Sequence, residues 1–171
     1  LLKSGDISLD TLDNSSEQSD ALLVALAPQL LDTLRTKQVT GIFIMLNTHD
    51  LDTCEVGKKM PGIYLRDLEP DARPSERNSD LLLERASATV VKELAIGTDK
   101  GWQPAFPYQA NTKGGILRTV FQAAYKDGAS LSAENYGRWT TNSYCLAGDD
   151  RNAIAYSLPL ILPDGTVYGV V

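Results

Sequence analysis

Residues 153–170 read Ala153-Ile154-Ala155-Tyr156-Ser157-Leu158-Pro159-Leu160-Ile161-Leu162-Pro163-Asp164-Gly165-Thr166-Val167-Tyr168-Gly169-Val170. Two short β-type runs flank a Pro-Asp-Gly tip, the pattern of a β-hairpin. Pro163 presets φ for the first corner of the turn, and Gly165 takes a left-handed position at no steric cost. Strand alternation puts Ile154, Tyr156, Leu158 and Leu160 on one face, with the small Ala155 and Ser157 on the other. The face with the large side chains is expected to line a core or a ligand cavity, and periodicity does not choose between them.

Upstream of the hairpin the chain alternates helical and strand-like segments. Residues 1–18 form a polar, aperiodic lead-in. Leu23, Leu26, Leu30 and Leu34 then recur at helical spacing, which predicts a long helix over about 19–38, kinked or restarted at Pro28. Ile42-Phe43-Ile44-Met45-Leu46 is a short continuous apolar run, read as a buried strand, and Gly62 to Asp67 reads as a second strand. Residues 47–60 and 69–74 read as loops. Asp80 is expected to cap a helix with an inner stripe of Leu83, Ala86, Val90 and Leu94, stopped at Gly97. Residues 98–117 are read as a long connection bearing Trp102, Phe106 and Tyr108, which favours a functional loop. A short helix is expected after Arg118, around residues 122–125. The order predicts an α+β fold with helices packed on a central antiparallel sheet.

The bulk composition mainly excludes. The 171 residues suit one domain with a real core, and 43% hydrophobic with 22% charged residues is ordinary for a globular chain. A net charge of −6 without a basic patch argues against nucleic acid as a partner. No run of about 18 apolar residues predicts a membrane-spanning helix. The start, Leu1-Leu2-Lys3-Ser4-Gly5, lacks an initiator Met and any signal-peptide pattern, so a piece of a longer protein is expected. Cys54 and Cys145 either bridge or remain thiols, since Cα geometry decides.

Several segments taken in order resemble a known family: Thr40-Gly41-Ile42-Phe43, Gly62-Ile63-Tyr64-Leu65-Arg66-Asp67, Asp80-Leu81-Leu82-Leu83-Glu84-Arg85, Trp102, the run 153–160, and Asp164-Gly165-Thr166-Val167-Tyr168-Gly169-Val170. Together they resemble Cache domains, and more narrowly the membrane-distal module of double-Cache sensors, over residues 19–171. The resemblance implies a long N-terminal helix, a PAS-like antiparallel sheet with flanking helices, and a ligand pocket between sheet and loops. It also implies an extracytoplasmic place on a bacterial transmembrane receptor, such as a histidine kinase, diguanylate cyclase or chemoreceptor. A second module and a transmembrane helix would follow Val171 in such a protein. Family members that bind amino acids carry an Arg, a Trp-Tyr pair beginning two residues later, and a downstream Asp. The matching segment here is Arg118-Thr119-Val120-Phe121 with Asp149 or Asp150, so Val120 and Phe121 stand in place of the Trp-Tyr pair. The implied ligand is small and polar: an amino acid, carboxylate or amine.

The candidate ligand-binding residues are therefore Tyr108, Arg118, Phe121, Tyr136, Trp139, Tyr144, Asp149 and Asp150. Arg118 offers a planar bidentate fork for a carboxylate, and is otherwise a solvated surface arginine. Asp149 and Asp150 offer charge to an ammonium, or stabilise a turn. Tyr136, Trp139 and Tyr144 supply apolar walls with polar tips, or ordinary packing. Arg66 either points into a pocket or pairs with Asp67 or Glu69 at the surface, the second being preferred. No cofactor or metal is expected, because His49 is the only histidine and zinc or iron sites need more than one imidazole or thiolate. A Cys54–His49 nucleophile pair lacks an orienting third group, and no Gly-rich phosphate loop occurs. A hydrolase would need convergent titratable side chains, so enzyme chemistry is not expected here. A structural module that dimerises through the N-terminal helix is the other open reading.

Overall fold

The computed structural model describes residues 7–8, 12, 15–46, 57–71, 80–108, 116–126, 128, 132–145 and 151–171; within these, the side chains of residues 116–118 and 125 are not described. The fold is α+β, with a long N-terminal helix and a mixed sheet. The chain forms two compact units, Leu1–Met45 with Lys59–Phe106, and Leu46–Lys58 with Pro107–Val171.

The first unit opens with α1 (Ser16–Lys37), whose cap Ser15 accepts from the Gln18 N–H. Its buried stripe runs Leu23, Ala27, Leu30 and Leu34, with Ala27 rather than Leu26 in the second position. Pro28 lies on the exposed side, and the helix continues through it instead of restarting. Before the helix, Ile7 and Leu12 are buried, and the Ser19 hydroxyl donates to the Leu12 carbonyl at 3.0 Å. Gln38 ends α1 in the left-handed region at φ 50°.

After α1 come β1 (Gly41–Leu46), β2 (Lys59–Met60), β3 (Gly62–Asp67), β4 (Leu81–Arg85), α2 (Ala88–Leu94), β5 (Gly97–Gln103) and β6 (Phe106–Pro107). Four strands of the mixed sheet lie side by side in this unit, in the order β1-β3-β4-β5. β1 and β3 pair antiparallel with Ile42 opposite Leu65 and Ile44 opposite Ile63, which stacks branched residues cross-strand. β3 and β4 are antiparallel, with Leu65 opposite Leu83. β4 and β5 are parallel, so the expectation of a purely antiparallel sheet does not hold. Residues 86–96, including α2, provide the crossover that parallel neighbours require.

That crossover corrects two expectations. Residues 81–85 are a strand, and the helix begins only after Ser87, whose hydroxyl accepts from the Val90 N–H at 3.2 Å. Residues 97–103 and 106–107 are strands rather than parts of one long loop. Trp102 fixes the return, its indole Nε1 donating to the Ala86 carbonyl at 3.0 Å.

The second unit contains α3 (Ile116–Lys126), a 3-10 turn (Ala133–Tyr136), β7 (Arg138–Trp139), β8 (Tyr144–Cys145), β9 (Asn152–Ala153), β10 (Tyr156–Ser157), β11 (Pro159–Ile161) and β12 (Val167–Val170). β11 and β12 form the expected antiparallel hairpin. Gly165 holds φ 88° at its tip, donating to the Leu162 carbonyl, and Asp164 accepts from the Thr166 N–H. Preceding residues depart from the expected alternation. Ile154 and Tyr156 are 62% and 41% exposed, whereas Ser157 is fully buried. The cause is a break in the arm at Leu158, which lies between β10, paired with β7, and β11, paired with β12.

Candidate functional site

The eight residues singled out from the sequence all belong to the second unit's span. α3 buries Val120, Phe121 and Ala124 and packs on the 3-10 turn, β7, β10, β11 and β12. Tyr136, the last residue of the 3-10 turn, is 4% exposed. Tyr108 is 2% exposed and is held by two backbone bonds, its N–H donating to Lys58 and its carbonyl accepting from Gly57. Phe121, Tyr136 and Tyr108 are thus interior aromatics of one unit. Arg118 stands in the first turn of α3, which begins at Ile116, earlier than the helix expected from the sequence. Asp149 and Asp150 lie outside the described residues, as do His49, Cys54 and the Gly114-Gly115 pair.

Trp139 and Tyr144, expected as cavity walls, are 61% and 40% exposed. Trp139 sits opposite Tyr156 in the β7–β10 pair, with ring centroids 5.0 Å apart at 44°. This tilted pair gains from quadrupole complementarity and covers part of each ring. Gly137 allows it, because a Cβ there would overlap the Tyr156 hydroxyl and crowd Leu158. Arg138 flanks the pair and is committed to backbone, donating to the Gly137 and Asn135 carbonyls at 2.7 and 3.4 Å. Tyr156 and Arg138 were not singled out in the sequence. Their signal was the expected strand pairing of this region, but alternation had turned Tyr156 inward.

The titratable groups of this unit have readable states. Burial pushes the Tyr168 hydroxyl up, so it stays a neutral donor at physiological pH. Asp164, at the hairpin tip, is lowered chiefly by the Thr166 N–H. Glu134 is lowered chiefly by the Ser132 hydroxyl. Cys145 carries a free, exposed thiol 3.4 Å from Asn152 Oδ1. Among the described residues no cluster of His, Cys, Asp and Glu could hold a metal.

Arg66 belongs to the first unit and is buried instead of lying at the surface, with acidic groups of Glu84 and Asp99 beside it. It is 2% exposed, with Nη1 3.9 Å from Glu84 and 3.8 Å from Asp99. Glu84 also lies 3.7 Å from Arg85. The pairing follows from the sheet order, since β4 and β5 carry the two acids beside β3. Burial is the main influence on Glu84 and raises its pKa, with Arg85 and Arg66 opposing and Asp99 adding to the rise. This is a buried charge network with weak pairing distances, built for structure more than for access.

No protein family, curated protein or solved structure matches this chain. No helix among the described residues is long and apolar enough to cross a membrane.

Proposed function

We propose that the chain is a Cache-type sensing module that binds a small polar ligand in its second unit. In this reading it lies on the extracytoplasmic side of a bacterial membrane, as part of a transmembrane receptor whose output is a kinase, cyclase or chemotaxis domain. One observation supports the proposal: the helix bearing Arg118 buries its own Phe121 and packs on the 3-10 turn that ends in the buried Tyr136. The α+β class with a long N-terminal helix and a mixed sheet is compatible with that fold family. The chemistry would be recognition without catalysis. Arg118 would take a ligand carboxylate, Asp149 or Asp150 an ammonium, and the aromatics would exclude water. Binding would favour one of two receptor states through the ligand's difference in affinity for them.

A second reading has an observation of its own. Phe121, Tyr136 and Tyr108 are buried as deeply as core leucines, which suits a filled interior and a structural or dimerising module. A thermal-shift screen of amino acids, carboxylates and amines separates the two. A hit among them, weakened by Arg118→Ala, supports sensing. A screen without hits supports the structural reading.

A further inference from the structure

The first unit contains a cleft that the ligand reading does not use. It is lined by Ser16, Ser19, Asp20 and Leu23 of α1, by Lys59 of β2 and by Ser87 at the cap of α2, and is an open cleft of about 150 Å³. Two prolines, Gly62 and Ala105 complete a largely apolar wall. Asp20 is only 9% exposed. Among the described residues no cation stands within ion-pair distance of its carboxylate, and none donates a hydrogen bond to it. Two of the three hydroxyls lining the cleft are engaged elsewhere: Ser19 donates to the Leu12 carbonyl, and Ser87 caps α2. No protein group among the described residues compensates this carboxylate, so a ligand that brings N–H donors and positive charge would meet an unpaired acceptor set against an apolar wall.

We propose that this cleft binds a small primary ammonium cation, anchored by Asp20. An ammonium brings three N–H donors and the opposite charge. An apolar cavity of this size holds a group of about six non-hydrogen atoms, so a short alkyl chain fits against Leu23 and the prolines. Lys59 is the internal competitor: it lines the cleft, is exposed, and makes no ion pair with Asp20. Its long stem leaves the charge in water while its methylenes cover the wall. The site therefore suits a monovalent cation that is shorter than a lysine side chain and carries N–H groups.

The test is calorimetric titration of the whole chain with propylammonium chloride, against matched sodium chloride. Saturable binding is expected, with tetramethylammonium, which has no N–H, failing to bind. Asp20→Asn should weaken propylammonium at least tenfold while melting no lower than the unmutated chain. Lys59→Met should tighten it several-fold, and Ala105→Leu, which fills the cleft from its loop, should abolish it. Binding should survive Arg118→Ala, which separates this site from the one proposed above. Unsaturable heat, equal affinity in Asp20→Asn, or a lower melting temperature in that variant would overturn the proposal. So would weaker binding in Lys59→Met, which would mean that Lys59 helps to hold the ligand instead of competing with it.

Discussion

Arg66 is the buried residue whose partners define the first unit's interior charge, with Glu84 and Asp99 both within 4 Å. Removing one member of a buried charge group leaves the others uncompensated, at a cost of about 3–5 kcal/mol. Arg66→Met should therefore destabilise the chain by about 3 kcal/mol in urea denaturation, and a loss below about 1 kcal/mol would show that the network is solvated. Glu84 gives the pH dependence. Its folded pKa lies above the ordinary 4.5, so the folded state binds the proton more tightly than the unfolded chain. The resulting stabilisation is complete below about 4.5 and is lost as pH rises through the raised value. Relative to Glu84→Gln, the unmutated chain should lose stability as the pH is raised from about 4.5 through the raised folded value. A gain over that window, seen as a rising urea midpoint, would mean that Arg66 and Arg85 outweigh burial. Nothing in the sequence announced this network. Arg66 was read beside its sequence neighbours Asp67 and Glu69, whereas Glu84 and Asp99 reach it from other strands of the sheet.

At the scale of elements, Pro28 and Gly62 carry the clearest consequences. Pro28 lies inside α1 and is exposed, so it removes a helical hydrogen bond without contributing packing. Pro28→Ala should raise stability by about 1–3 kcal/mol, seen as a higher melting temperature by circular dichroism; an unchanged value would mean that α1 has already relaxed around the ring. Gly62 sits where β3 meets β1, and a Cβ there would overlap the Ile44 carbonyl oxygen and the Phe106 ring. Gly62→Ala should cost about 1–3 kcal/mol as the strands shift, and a neutral result in chemical denaturation would show that Phe106 swings aside. The segments legible in the sequence were those whose period has one meaning. The helix around Leu23, Leu30 and Leu34, the strands 41–46 and 62–67, and the Pro163-Asp164-Gly165 turn all stand where their patterns put them. Leu81-Leu82-Leu83 suits a helix or a buried strand equally, and only its neighbours β3 and β5 decide for the strand. The start of α2 was misplaced because Asp80 offers a capping side chain seven residues before Ser87, the residue that caps the helix. Ile154 and Tyr156 were misread for a different reason: alternation assumes one continuous strand, and the pairing changes partner at Leu158.

At the scale of the molecule, the two proposed binding sites fall in different units, the one built on Arg118 in the second and the Asp20 cleft in the first. Of the candidate site, sequence reading found the interior aromatics Tyr108, Phe121 and Tyr136, because hydrophobic area drives burial wherever the chain closes. It placed Trp139 and Tyr144 inward, and their exposure is set by short two-residue strand pairs that no period predicts. A cognate ligand at about 100 times its Kd should stabilise the folded chain by about 2.7 kcal/mol. For this length that is a rise of roughly 5–11 °C in melting temperature. The most direct measurement is isothermal titration of the best-stabilising small polar compound into the unmutated chain and into Arg118→Ala. Saturable binding that loses about 2–5 kcal/mol in the variant is the predicted result. An equal Kd in both chains, or no saturable binding by any amino acid, carboxylate or amine, would contradict it.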